Sequence, residues 1–417
     1  MTHLARRLLC RSSLALVATT SLLLAGGCGS SGPKEPVRPS VSVETIRPGS
    51  FRVAWNASLD TVKNGRVDGL YLRDDLLFAY TDDKVVQSFN SSSGRSRFIR
   101  QIVGPRDVLY PPVVLPSLGR VPGIDRLITF ATASGFVVVN DDGLVVRETS
   151  LRRGLTTPPT GSAGIIYVGS ADDNGGRLLK VDPLLPAGNI LDRVLLDGPL
   201  NGRPAAFGAF VYAADLTGNV YGMTEGLAQA WPIREFETEP GRGVNADVVV
   251  DDFGVYVSGT DGTLHVLSRD RGRIVWRFFA GRPLYQRAVP TRDWVYQPMG
   301  DSGVAALPKF EGSTNSREPA WVAREARDFL SHDDANVYLL LASGRIGAFD
   351  KETGDKVFES RRSDFSRYAR NVDGSRIYAA TRAGEIVAIE PVLGSGEVGR
   401  TVMLDIETPD AIAMLGQ

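Results

Sequence analysis

Cysteine is almost missing from the 417 residues: there are only Cys10 and Cys28, and histidine is scarcely commoner, at His3, His265 and His332. Two cysteines exclude a disulfide-stapled scaffold and a cysteine-rich zinc module. No adjacent-cysteine pair and no C-x-x-C-H haem attachment site is present. An excess of charge of one sign is missing too. With 47 basic and 48 acidic side chains and a net charge of −1, the chain lacks the basic surplus by which proteins hold nucleic acid phosphates. Helical periodicity is nearly absent. Its best candidate, residues 321–330 (WVAREARDFL), falls where the repeat described below calls for a strand with an adjoining loop.

What is present begins at the N-terminus. Arg6, Arg7 and Arg11 lead into an uncharged stretch, residues 12–27, with an apolar heart at 14–25. That is the layout of a secretory signal, shorter than the about 20 apolar residues that span a bilayer. It ends in Leu24-Ala25-Gly26-Gly27-Cys28, which resembles the lipobox of bacterial lipoproteins. The resemblance implies cleavage before Cys28 and attachment of a diacylglycerol to its sulfur. Export would then leave one cysteine, spent on lipid, which agrees with a chain without disulfides in an oxidising compartment. Losing the three arginines and no acid takes the net charge from −1 to −4. Gly29, rather than an Asp, follows Cys28, as in lipoproteins sent to the outer membrane. Residues 29–49, rich in Pro, Ser and Gly, bury too little apolar surface to order themselves and read as a tether.

From there one unit recurs. An apolar residue (Thr in one case) precedes an aromatic one at Leu77-Phe78, Thr129-Phe130, Ile166-Tyr167, Val211-Tyr212, Val255-Tyr256, Val295-Tyr296, Val337-Tyr338 and Ile377-Tyr378. A turn follows each pair, at Asp83, Gly135, Gly176, Gly218, Gly262, Gly303, Gly344 and Gly384, with successive gaps of 52, 41, 42, 44, 41, 41 and 40 residues. Next comes an alternating strand such as residues 263–267 or 385–389, closed by a turn holding Gly94, Gly143, Gly188, Gly226, Gly272, Gly312, Gly354 or Gly396. Short runs of β-branched and aromatic residues between Gly and Asp turns are antiparallel strands. Units of about 40–45 residues, each of four strands, are propeller blades. The expected fold is therefore all-β: an eight-bladed β-propeller of four-stranded antiparallel blades over residues 51–417. Residues 51–59, FRVAWNASL, match the outer-strand part of the repeat. They are expected to complete the last blade beside residues 402–404, with the strand pairing left open.

Ala348-Phe349-Asp350, Thr353-Gly354 and Phe358 resemble the A-x-D-x-x-T-G-x-x-x-W repeat of the PQQ-like propellers. Gly272 to Trp276 and Gly94 to Phe98 keep the four-residue step, Gly226 to Trp231 takes five, and no aromatic stands four residues after Gly143, Gly188 or Gly396. The resemblance implies that the aromatic docks between neighbouring blades. A lipobox, a tether and one eight-bladed ring together resemble the BamB-type subunits of the outer-membrane barrel-assembly machine. That likeness implies a scaffold without cofactor, a monomer within a complex. Its partner would be an envelope protein, the barrel-assembly protein in the BamB-like case, and it would face the periplasm. In that family an inter-blade loop carries Leu-x-Leu-Arg-Gly; here its place is taken by Glu239-Pro240-Gly241-Arg242-Gly243, making Arg242 and Gly243 the candidate partner-contact residues.

Other motifs read as structure. Residues 394–399, GSGEVG, match a dinucleotide fingerprint by letters, but no helix pattern follows to receive a pyrophosphate. Asp74-Asp75, Asp251-Asp252 and Asp333-Asp334 each precede an apolar-aromatic strand, where Asp favours turns. His265 lies on an alternating strand and His332 before a turn. No catalytic, cofactor-binding or metal-ligating residue is assigned. The reading is a binding scaffold and not an enzyme; the alternative is a ligand-binding or hydrolytic propeller that uses its central channel.

Overall fold

The computed structural model describes residues 50–59, 66–151, 154–172, 175–186, 190–235, 243–314, 316–362 and 364–392. The first strand, β1 (Ser50–Ser58), stands apart from its sequence neighbours. Blade 1 is β2 (Val67–Arg73), β3 (Leu76–Thr81), β4 (Val85–Asn90) and β5 (Ser96–Gln101), hydrogen-bonded in that order. Blade 2 is β6 (Val113–Pro116), β7 (Arg126–Thr132), β8 (Gly135–Val139) and β9 (Val145–Ser150); blade 3 is β10 (Thr160–Ser162), β11 (Ile165–Asp172), β12 (Gly175–Val181) and β13 (Ile190–Leu196). Blade 4 is β14 (Ala205–Phe207), β15 (Phe210–Ala214), β16 (Asn219–Thr224) and β17 (Arg234–Glu235); blade 5 is β18 (Val249–Val250), β19 (Val255–Ser258), β20 (Thr263–Leu267) and β21 (Ile274–Phe279). Blade 6 is β22 (Val289–Pro290), β23 (Trp294–Pro298), β24 (Val304–Pro308) and β25 (Trp321–Ala323); blade 7 is β26 (Ala326–His332), β27 (Asn336–Leu341), β28 (Ile346–Asp350) and β29 (Lys356–Glu359). Blade 8 has only three strands of its own, β30 (Phe365–Ala369), β31 (Ile377–Thr381) and β32 (Glu385–Val392). Among the described residues a single turn of 3-10 helix, Gly300–Ser302, is the one helical element. Residues 321–330 accordingly split into the end of one blade and the start of the next.

Every apolar-aromatic pair lies in the second strand of its blade, the strand buried on both faces; all six residues of β3 are buried. The fourth strand of blade 8 is β1, which pairs antiparallel with β32 from Ser50↔Val392 to Ser58↔Glu385. Residues 51–59 thus complete the last blade, as expected, but their partner is Glu385–Val392; residues 402–404 lie outside the described residues, as do residues 394–399.

The core is a series of layers between blades. Eight buried apolar clusters occur among the described residues, each drawing on two consecutive blades. The cluster that closes the circle packs Leu77, Ala79 and Phe89 of blade 1 against Tyr378, Ile386 and Ala388 of blade 8. No blade can hide both its faces alone, so the ring is stabilised by its interfaces.

An aromatic at the outer strand crosses each of several interfaces. The indole N–H groups of Trp55, Trp231, Trp276 and Trp321 donate to Ser91, Arg269, Lys309 and Lys351 carbonyls in the following blade, at 2.9, 3.1, 3.1 and 2.8 Å. Second-strand tyrosines reinforce two of these: Tyr212 shares the Arg269 carbonyl with Trp231, and Tyr378 shares that of Ser91 with Trp55. The receiving turn must be glycine for two reasons. Gly94 has φ +71° and a Cβ there would lie 2.5 Å from Trp55; Gly354, at φ +74°, would meet Trp321 at 2.4 Å. Phe98 fills the same place on Gly143, which fulfils the packing role expected of the repeat's aromatic.

The closing blade is also pinned by charge. Glu390 accepts from Arg52 of β1 at 2.9 Å and from Arg376. Burial alone would raise the Glu390 carboxyl, but the bonds from Arg376 and Arg52 outweigh it and hold it below the usual range.

Candidate interaction site

Antiparallel alternation puts the turns after the first and third strands of each blade at one end of the ring. The turns after the second strands, and the connections between blades, gather at the other. The three acidic pairs lie at the first end, after the first strand or at the close of its hairpin. Asp251 accepts from the backbone N–H groups of Phe253 and Gly254, from Tyr256 and from Lys309. Asp333 likewise binds the N–H groups of Ala335 and Asn336 and the Tyr338 hydroxyl, and Asp74 takes φ 50° in its turn. These carboxylates cap turns, as their sequence position implies. No cluster of three or more His, Cys, Asp or Glu suited to a metal occurs among the described residues.

His265 is 4% exposed on β20, with its Nε2 3.1 Å from Asp261. Burial would raise the Asp261 carboxyl, yet the bonds from His265 and the Thr263 N–H bring it below its usual range. His332 places Nε2 3.0 Å from the Val372 carbonyl. Both histidines are thereby tied into the framework, on β20 of blade 5 and β26 of blade 7.

Of the expected contact loop, Gly243 is described and lies at the second end. Arg242 lies outside the described residues, as do Cys28 and residues 1–27. Gly243 is buried; its carbonyl accepts from the Thr260 N–H at 3.0 Å and hydroxyl at 2.8 Å, and a Cβ there would lie 2.0 Å from the Leu216 carbonyl oxygen. Beside it opens a cavity of about 400 Å³ walled by Asn245, Thr260, Asp261, Phe279, Arg282 and Tyr285. Phe279 is 65% and Tyr285 67% exposed. Sequence reading passed over both aromatics.

A second set of side chains lines the innermost strands. Arg203, Asp247, Arg287, Asp328 and Arg370 stand at or next to β14, β18, β22, β26 and β30, with gaps of 44, 40, 41 and 42 residues. They are one repeat apart and alternate in sign. Arg203 Nη2 lies 3.8 Å from Asp247, whose other oxygen accepts from the Arg203 backbone N–H at 3.0 Å, and Arg370 donates to Asp328 at 2.7 Å. From β2, Arg73 donates to the carbonyls of Pro112 and Leu72 at 3.0 and 2.7 Å. Burial, then repulsion from Arg203, lowers the Arg73 guanidinium to about 10; burial, then repulsion from Arg370 and Arg203, lowers that of Arg287 to about 9. Both stay charged at neutral pH. The signal was legible as a charge recurring at the blade period, a pattern outside the repeat's signature letters.

Residues 217–402 match a PQQ-repeat family model described as outer membrane protein assembly factor BamB. No curated protein matches the chain. Among solved structures, BamB from Moraxella catarrhalis is 14% identical with a TM-score of 0.61, covering 84% of this chain and 99% of that one. The computationally designed Ika8 protein is 14% identical at TM-score 0.56, covering 79% and 98%; the C-terminal WD40 domain of Sif2 is 11% identical at 0.57, covering 83% and 99%. At such identities the likeness is one of fold. With eight closed blades, interlocking outer-strand aromatics and a family match from blade 4 onward, the repeat is of the PQQ-like kind and the chain resembles the BamB-type propellers.

Proposed function

We propose that this propeller is a protein-binding scaffold of the cell envelope, held to a membrane through lipid on Cys28 and docking its partner on the end that carries the inter-blade connections. In this reading residues 1–27 are removed, residues 28–50 are anchor and tether, and residues 51–417 form the ring. It resides in the outer membrane facing the periplasm, as a monomer within a complex. The observation that carries it is the cavity flanked by exposed Phe279 and Tyr285. Large aromatics left in water beside a recess are the usual anchors of a protein interface. Gly243 borders the same recess, being bonded to Thr260 of its wall. The barrel-assembly protein is the partner that the BamB description of the matching family favours.

The expected result of affinity purification from the native host is recovery of a barrel-assembly component with the lipidated chain. Phe279→Ala with Tyr285→Ala should lower that recovery by about 30-fold, the equivalent of one hot spot of about 2 kcal/mol, while circular dichroism stays unchanged. Equal recovery by the double variant contradicts the docking end. Recovery of no envelope protein contradicts the scaffold. The second reading, a ligand-binding or hydrolytic channel, is favoured by one observation, the recurring charges on the innermost strands.

A further inference from the structure

The charges of the channel do not balance. Among the four guanidiniums that act on one another, two have carboxylates in contact: Arg203 has Asp247 and Arg370 has Asp328. Arg73 spends its hydrogen bonds on neutral carbonyls of Pro112 and Leu72. Arg287 forms no hydrogen bond or ion pair with any described residue, although it lies in the fields of Arg370, Arg203, Asp247 and Arg73. The Arg203 Nε is buried without a hydrogen-bond partner as well. An unmet guanidinium donor in a confined space costs free energy that an anion with several oxygens would recover.

There is room for such an anion. A cavity of about 160 Å³ opens among the first strands of blades 1 to 4, walled by Arg73, Asp74, Val113, Val114, Thr160 and Arg203. The space is on the order of several waters, too small for a peptide segment. The two arginines of its wall repel each other, and Arg287 adds a third positive charge to the same neighbourhood. Alternation in sign at the blade period explains how the ring tolerates so many arginines, but Arg73, Arg203, Arg287 and Arg370 set against Asp247, Asp328 and Asp74 of the cavity wall leave one positive charge over.

We propose that the central channel is a binding site for a small dianion of phosphate type, gripped by Arg73 and Arg203 at the cavity wall and attracted by Arg287. Phosphate geometry suits the site because guanidinium forks bind its oxygens in pairs. This inference goes beyond the scaffold reading and stands on different residues. The ligand is inorganic phosphate or the head of a small phosphomonoester, which present the same oxygens.

The test is calorimetric titration of the purified full propeller at low ionic strength with inorganic phosphate and, separately, glycerol 3-phosphate, with potassium chloride of matched ionic strength as control. Saturable heat with phosphate and none with chloride is expected; a stronger response to the ester identifies the esterified source, a stronger response to phosphate the free ion. Arg287→Gln should weaken binding on the order of tenfold through lost attraction, and Arg203→Gln should abolish it. Phe279→Ala with Tyr285→Ala should leave it untouched, which separates this site from the docking end. Should the arginine variants fail to fold, the melting temperature of the unaltered chain still decides: phosphate raises it above matched chloride if the site binds. No saturable heat and equal melting in the two salts would overturn the proposal, as would unchanged binding in a folded Arg203→Gln chain.

Discussion

Deleting Ser50–Ser58 is expected to abolish cooperative folding of the ring. The loss would remove the whole pairing of β1 with β32 and leave β32 as an edge with unmet N–H and C=O groups. It would also empty two interfaces at once. On one side Trp55 leaves its seat on Gly94 and its bond to Ser91 in blade 1; on the other Phe51 leaves Tyr338 and Phe358 of blade 7, whose rings lie 5.8 and 4.9 Å away. Losing a large aromatic from a packed site costs about 3–5 kcal/mol, and two such losses approach the about 5–15 kcal/mol that holds an ordinary domain together. Thermal unfolding followed by far-ultraviolet circular dichroism checks this: the truncated chain should show a broad transition or none. A sharp melt within a few degrees of the full chain would mean that β1 does not close the ring.

Trp276→Ala should be the most damaging single substitution in the propeller interior. The side chain is 0% exposed, donates to the Lys309 carbonyl at 3.1 Å across the blade 5–6 interface, and has the Arg317 guanidinium 4.6 Å over its ring. Alanine leaves a cavity worth about 3–5 kcal/mol and a buried carbonyl without its donor, at a further cost of about 1–3 kcal/mol. Trp276→Phe keeps most of the volume and should cost markedly less. Urea unfolding at constant slope reads the difference directly; a loss below about 1 kcal/mol for alanine would show that the interfaces do not carry the stability assigned to them.

The blades were legible because propeller geometry forces the same residue types to the same place in each unit. The second strand is buried on both faces, so its apolar-aromatic pairs repeat at a near-constant interval, and turns under an indole ring must be glycine. The outer-strand character of residues 51–59 was legible for the same reason. Its partner was not, since Arg52 and Glu390 are 338 residues apart and no local pattern fixes pairing between chain ends.

The surface features were hidden for other reasons. Phe279 follows Phe278 in an apolar-looking strand, and only the register of β21, with Trp276 and Phe278 inward, turns Phe279 out to solvent. The channel charges sit beside first strands as short as two residues, β18 and β22, which are too brief to announce themselves by alternation. Arg203, Asp247, Arg287, Asp328 and Arg370 share an interval but alternate between Arg and Asp, so a search for one letter repeated in every blade passes over them.

Closure of the circle by the N-terminal strand is the claim on which the docking end and the channel both depend. Arg52 and Glu390 are directly opposed across β1 and β32, so Arg52→Cys with Glu390→Cys, in a chain whose Cys10 and Cys28 are replaced by serine, tests it most directly. Mild oxidation should yield an intramolecular disulfide, seen as a faster-migrating monomer on a non-reducing gel that reverts on reduction. Absence of that band, or cross-linking only between molecules, would contradict a closed eight-bladed ring.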